Sequence, residues 1–208
     1  MKILFLNGSP KGKNSTSEKL INGLRQRLGD SNEYSASIAL GEDKAGLLEK
    51  ITNFDTLIIV FPLYVDGLPS HLLRLLYEVK DEIRLAAPEL MVYGVVNNGF
   101  YEGKQNCLAL SMLSHFCTCA NVKWRQGLGI GAGGMISSIS TSIGSGPLKS
   151  IGLALDTFSK NIKEKAISKD FFIEPNFPKS LYKIAAHNRW RKQAKKSGVR
   201  RKEIYKQL

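Results

Sequence analysis

The strongest constraint on the fold is the way short apolar runs alternate with helix-spaced segments along the chain. ILFL (residues 3–6), LIIVF (57–61) and LMVYGVV (90–96) are unbroken by strongly polar side chains and read as buried strands. EYSASIAL (33–40) is a weaker strand candidate, and VKWRQGLGI (122–130) supplies a fifth. Helical spacing fills the intervals. Leu20, Leu24 and Leu28 mark a helix over 15–28, and a shorter one is expected around 43–51. Leu72, Leu73, Leu75, Leu76 and Val79 mark the next, with Pro69 near its start. Residues 105–120 and 148–166 give two more, the last pair separated by a Gly/Ser-rich stretch.

Strands alternating with helices imply parallel βαβ units, and unbroken apolar strands imply a sheet covered on both faces. Right-handed crossovers then favour a doubly wound α/β fold, and five strands suit the flavodoxin-like order 2-1-3-4-5. The chain has 208 residues, enough for one such domain with an appendage. Ligands in these sheets bind beyond the carboxyl ends of the strands. The informative loops are therefore those after strands 1, 3, 4 and 5.

Charge separates the chain into two parts. The formal net charge is +12, yet residues 179–208 hold eleven Lys/Arg and a single acidic residue, Glu203. The body, residues 1–178, is nearly balanced, so the basicity belongs to a C-terminal extension over 179–208. Leu181, Ile184, Ala185 and Trp190 fall on or near one side of a helix expected after Pro178. Such a helix could dock on the body, close a dimer with the partner subunit, or meet an anionic surface: a membrane, a nucleic acid or the phosphates of a nucleotide.

Several classes are disfavoured. No apolar run approaches the roughly 18 residues of a transmembrane helix, and the apolar stretch at residues 3–6 is too short for a secretion signal. Three cysteines (Cys107, Cys117, Cys119) fit neither a disulfide framework nor a four-thiolate cluster, so a reducing cytoplasm is the expected compartment. His71, His115 and His187 lack metal-ligand spacing, and no metal is expected. No Ser-His-Asp set or carboxylate pair stands out.

The loop after strand 1 reads GSPKGKNSTS (residues 8–17) and opens a helix. Of its four hydroxyl residues, Ser15, Thr16 and Ser17 offer theirs where helix amides lack partners, a combination suited to a phosphate. Capping alone needs one hydroxyl. A Walker A loop is ruled out by the three-residue spacing between Gly8 and Gly12 and by Asn14 after Lys13. A dinucleotide fingerprint fails here for want of the second glycine. A literal GxGxxG does occur at residues 129–134, but after the fifth strand, where Gly131 is better read as letting the backbone approach a ligand. After strand 3, Pro62, Leu63, Tyr64 and Val65 either support a flat ring or make a turn with Tyr64 packed on the core. After strand 4, amides around Asn97, Asn98, Gly99 and Phe100 could donate to the polar edge of a heterocycle.

In this order, NGSPKGKNSTSEKL, FPLYVDGLP and VNNGFYEG resemble the NADPH-dependent FMN reductase-like and NAD(P)H:quinone oxidoreductase-type flavoproteins of the flavodoxin-like superfamily, over roughly residues 1–165. The resemblance implies FMN as cofactor and NAD(P)H as electron donor. It places the FMN phosphate at Ser9, Lys11, Ser15, Thr16 and Ser17, the isoalloxazine and ribityl chain beside Pro62, Leu63, Tyr64 and Val65, and the pyrimidine edge at Asn97, Asn98, Gly99 and Phe100, with Gly131 as an addition. The flavin N5 carries the chemistry, so no catalytic side chain is expected. The implied activity passes electrons to a small acceptor such as a quinone or a nitro compound, in a homodimer. A flavodoxin-type electron carrier docking to protein redox partners is the alternative, and the basic tail weighs against it. The iron–sulfur members of the group carry a cysteine cluster between strands 2 and 3, which this chain lacks.

Overall fold

The computed structural model describes residues 1–29, 32–37 and 44–199, with 32–37 described by its backbone. The chain divides into two compact units, Met1–Pro175 and Asn176–Leu208. In the first, a parallel sheet is built from β1 (Lys2–Asn7), β2 (Asn32–Ser37), β3 (Thr56–Pro62), β4 (Met91–Asn97), β5 (Lys123–Ile130) and β6 (Phe171–Ile173), in the order β2-β1-β3-β4-β5-β6. The helices are α1 (Thr16–Leu28), α2 (Lys44–Thr52), α3 (Ser70–Ala86), α4 (Cys107–Cys119), α5 (Gly133–Ser138) and α6 (Lys149–Lys163).

The expected five strands are thus corrected to six among the described residues. β6 pairs Phe171, Phe172 and Ile173 with Leu128, Gly129 and Ile130. Three half-buried residues carry no alternation that a sequence pattern can register. The Gly/Ser-rich stretch likewise contains the short helix α5, entered through Ala132 in the left-handed region at φ 52°. The expected end of the second strand (residues 38–40), the start of the second helix at Asp43 and the tail beyond Val199 lie outside the described residues.

Alternate residues of each strand feed opposite faces. Leu4 and Leu6 of β1, Leu57, Ile59 and Phe61 of β3, and Val92 and Val96 of β4 join α2, α3 and α4 in one core. Ile3 and Phe5, Ile58 and Val60, and Met91, Tyr93 and Val95 join α1 and α6 in the other, with Tyr93 and Phe158 edge to face at 5.8 Å. Both cores lie wholly within the first unit. The chain order reverses at β1, flanked by β2 and β3, so the crevice at a topological switch point opens where β1 and β3 end.

The second unit contains α7 (Lys179–Lys196), which follows Pro178. No residue of α7 is buried.

Candidate functional site

The loop after β1 is assembled around one buried side chain, Asn7. Its Nδ2 donates to the Glu18 carboxylate at 2.8 Å, the Gly12 carbonyl at 3.2 Å and the Ser15 hydroxyl at 3.3 Å, while its Oδ1 accepts from the Ser9 amide at 3.0 Å. A polar residue at the end of an apolar strand is costly to bury unless it is bonded, and these bonds fold the loop back on itself. Gly12 turns it at φ 53° into a single 3-10 turn before α1. Asn7 was absent from the expected site. Its position at the polar end of ILFLN was the available signal.

The three consecutive hydroxyls go to three different places. Ser15 caps α1, accepting from the Glu18 amide at 3.1 Å and donating to the Gly12 carbonyl at 2.5 Å. Thr16 reaches across to α5, donating to the Gly133 carbonyl at 3.3 Å and pairing with the Ser137 hydroxyl. Ser17 points inward and accepts from Asn97 Nδ2 at 3.2 Å. What faces outward is the positive end of α1: the amides of Thr16 and Ser17, which have no helical acceptor, flanked by the exposed Lys11 and Lys13. Ser9 is buried and its hydroxyl accepts from the Lys11 amide at 3.3 Å.

After β3 the chain makes a tight reversal. Tyr64 and Gly67 exchange both backbone bonds, at 3.1 and 3.0 Å, around Val65 (φ 48°) and Asp66 (φ 57°). Two successive left-handed residues define a type I′ turn, a conformation that a β-branched valine adopts only under strain. A turn is thus present at Tyr64–Gly67, and Tyr64 does not pack on the core. Tyr64 stands 43% exposed and Val65 is fully exposed. Pro62 and Leu63 are half-buried, and the Leu63 amide donates to the Asn97 carbonyl at 2.8 Å.

Asn97, the last residue of β4, joins the loops. Its Nδ2 donates to Ser17 on α1 and to the Phe61 carbonyl of β3 at 3.1 Å. Asn98 beside it is buried, with its amide on the Ile130 carbonyl at 3.1 Å and its carbonyl accepting from Gly133 at 2.6 Å. Its Nδ2 holds the Glu102 carbonyl at 3.0 Å, and its Oδ1 is buried with no partner among the described residues. A Cβ on Gly99 would meet nothing within 4 Å, and the Phe100 side chain is exposed.

The glycines after β5 make close approaches, and what they approach is the chain itself. A Cβ on Gly131 would lie 2.0 Å from the Tyr101 carbonyl, and one on Gly129 would lie 2.5 Å from the Phe172 ring. Gly133 is pressed against Asn97 Oδ1. These contacts seat the β4–α4 loop against the end of β5. Glu174, also missing from the expected site, accepts from the Gly103 amide at 3.1 Å and from Ser150 through its backbone carbonyl at 2.6 Å, fixing the far side of that loop.

Among the described residues no group of three or more His, Cys, Asp or Glu could hold a metal ion, and no helix is long and apolar enough to cross a membrane. All three cysteines are free. Cys107 and Cys119 are exposed, whereas Cys117 is buried and desolvation pushes its thiol up to about 12.

No protein-family model matches the chain, and no curated protein matches it. Solved structures do. A protein of P. pentosaceus described as an NADPH-quinone reductase is 14% identical with a TM-score of 0.60, over 77% of this chain and 99% of that one. An NADH:FMN oxidoreductase (EMOB) in its apo form is 15% identical with a TM-score of 0.59, over 80% and 90%. A flavodoxin of Streptococcus pneumonia TIGR4 is 12% identical with a TM-score of 0.55, over 80% and 100%. At these identities the likeness establishes the fold, a flavodoxin-like α/β sandwich.

Proposed function

We propose that the chain is an FMN-dependent NAD(P)H oxidoreductase that passes electrons to a small acceptor such as a quinone or a nitro compound. The observation that carries the reading is Asn97, whose side-chain amide ties the first turn of α1 and the end of β3 to the end of β4 and whose carbonyl holds the Leu63 amide of the next loop, at the switch point of the sheet. Doubly wound folds bind their ligands there. The structures similar in fold include ones described as NADPH-quinone reductase and NADH:FMN oxidoreductase.

The residues present fit the cofactor. One phosphate suits the start of α1, held by the Thr16 and Ser17 amides, the Thr16 hydroxyl and the Lys11 ammonium, with Ser9 and Ser15 shaping the loop from beneath. A single phosphate site favours FMN over a dinucleotide flavin. The exposed Tyr64, Val65 and Phe100 give apolar surface for a flat ring. The polar edge of that ring suits the loop of Asn97, Asn98, Gly99 and Phe100, where the buried Asn98 Oδ1 is an acceptor in want of a donor. Gly131 serves by seating that loop rather than by touching the ligand. Bound FMN supplies a hydride acceptor at N5 that returns two electrons to a second substrate. Backbone amides of the β4–α4 loop would favour negative charge on the reduced ring, and no side-chain acid or base is required.

The test is anaerobic mixing of the flavin-loaded protein with NADPH or NADH, followed by a quinone or nitro compound. Bleaching of the flavin by the nucleotide and recovery with the acceptor support the reading. Flavin that stays oxidised with both nucleotides overturns it.

A further inference from the structure

The segment that the flavin reading leaves unused is α7. Seven of its eighteen residues are Lys or Arg (Lys179, Lys183, Arg189, Arg191, Lys192, Lys195 and Lys196), and none is acidic. It buries no residue, and Trp190 stands 63% exposed with its ring edge-to-face against His187 at 5.7 Å. A helix with seven cationic residues and no acidic residue of its own suits a polyanion.

The distribution of the cations decides which polyanion. At 3.6 residues per turn the seven cations leave no arc wider than about 80° free of charge. A helix that beds into a lipid surface needs an apolar arc of about 100° or more, opposite its basic side. No such arc forms, and the shared side expected for Leu181, Ile184, Ala185 and Trp190 is corrected: Trp190 lies opposite Leu181, and Lys183, Arg191, Lys192 and Lys195 fall between and beside them. A phosphodiester backbone makes no such demand, since it binds cations by counterion release on whichever sides they lie. An exposed indole among cations also offers a stacking platform for an unpaired base.

We propose that α7 is a nucleic-acid-binding helix that prefers single strands, with phosphates neutralised by its Lys and Arg side chains and a base stacked on Trp190. The proposal rests on α7 alone and is independent of any flavin.

The experiment is fluorescence anisotropy of the full-length protein with labelled oligo(dT) and oligo(U) of about 20 nucleotides, longer than a single-strand site of roughly 4–16. Affinity should fall with salt at about −0.7 in log–log slope for each phosphate neutralised, or about −3.5 to −5 for five to seven contacts. Changing Lys183, Lys192, Lys195 and Lys196 together to Gln should reduce that slope by about 3. Trp190→Ala should weaken binding roughly tenfold, and Trp190→Phe, which keeps a ring, should restore most of it. All five side chains are exposed, so the variants should keep the fold of the body, which circular dichroism checks. Absence of oligonucleotide binding by the wild-type protein at low salt overturns the proposal. So does binding that both the Gln variant and Trp190→Ala leave unchanged, tighter binding to a duplex of the same length, or binding to phosphatidylserine vesicles without binding to oligonucleotides.

Discussion

The side-chain amide of Asn97 donates to the hydroxyl of Ser17 across 3.2 Å, joining the end of β4 to the first turn of α1 although the two residues are eighty positions apart. The same nitrogen holds the Phe61 carbonyl, so one buried donor group ties the ends of β3 and β4 to the first turn of α1. Asn97→Ala strands both acceptors in a buried setting and should cost about 2–3 kcal/mol, read from urea unfolding. Asn97→Asp should not rescue it, because an ionised carboxylate cannot donate to the Phe61 carbonyl.

Asn7 plays the matching part beneath the β1–α1 loop. Asn7→Asp keeps an acceptor for the Ser9 amide but loses the donor to Gly12 and Ser15, and it sets a carboxylate against that of Glu18. Stability at neutral pH should fall, and acidification should recover part of it as one carboxyl of the pair takes a proton. Adding Glu18→Gln should recover it at neutral pH as well. A pH-independent loss in the single variant would mean that repulsion with Glu18 is not the cause.

Much of this architecture was legible in the sequence, and the boundary of legibility has physical causes. β1, β3 and β4 announce themselves because strands covered on both faces must be apolar throughout, and α3 because Leu72, Leu75, Leu76 and Val79 repeat on one side of a helix. β6 is three half-buried residues whose strand character comes only from pairing with β5. The hydroxyls of Ser15, Thr16 and Ser17 looked like one phosphate cradle because adjacent positions in sequence say nothing about direction. A helix start turns them about 100° apart, so one caps, one crosses to α5 and one meets Asn97. Asn7 and Glu174 were missed for the converse reason. Their importance lies in partners that only the folded chain brings near.

Two glycines beside the site should respond in opposite ways. Gly131→Ala drives a Cβ to 2.0 Å from the Tyr101 carbonyl, a backbone atom that cannot swing away, and should destabilise by about 2–3 kcal/mol or leave the protein insoluble. Gly99→Ala meets nothing within 4 Å and should change stability by no more than about 0.5 kcal/mol. Thermal melts of the two variants side by side check the pair.

The cysteines should split two to one. Cys107 and Cys119 are exposed and should react promptly with an aromatic disulfide reagent at pH 8, while Cys117 stays silent until the protein is denatured. Burial raises the folded Cys117 thiol from 9.0 to about 12, so the unfolded chain gives up this proton first as pH rises. The stability that the protonated thiol contributes is therefore intact below about pH 9 and lost progressively toward pH 12, a trend that Cys117→Ala should flatten. Three rapidly reacting thiols in the native protein would contradict this burial.

The central claim, that the joined loops hold FMN, is tested most directly by the flavin itself. Purified protein should be yellow, should release FMN and not FAD on denaturation, and the stripped protein should take FMN back one per chain. Ser15→Ala should lower stability by about 1 kcal/mol through the lost cap, with a smaller effect on FMN affinity than Thr16→Ala. A folded protein that carries no flavin and fails to bind added FMN would falsify the account.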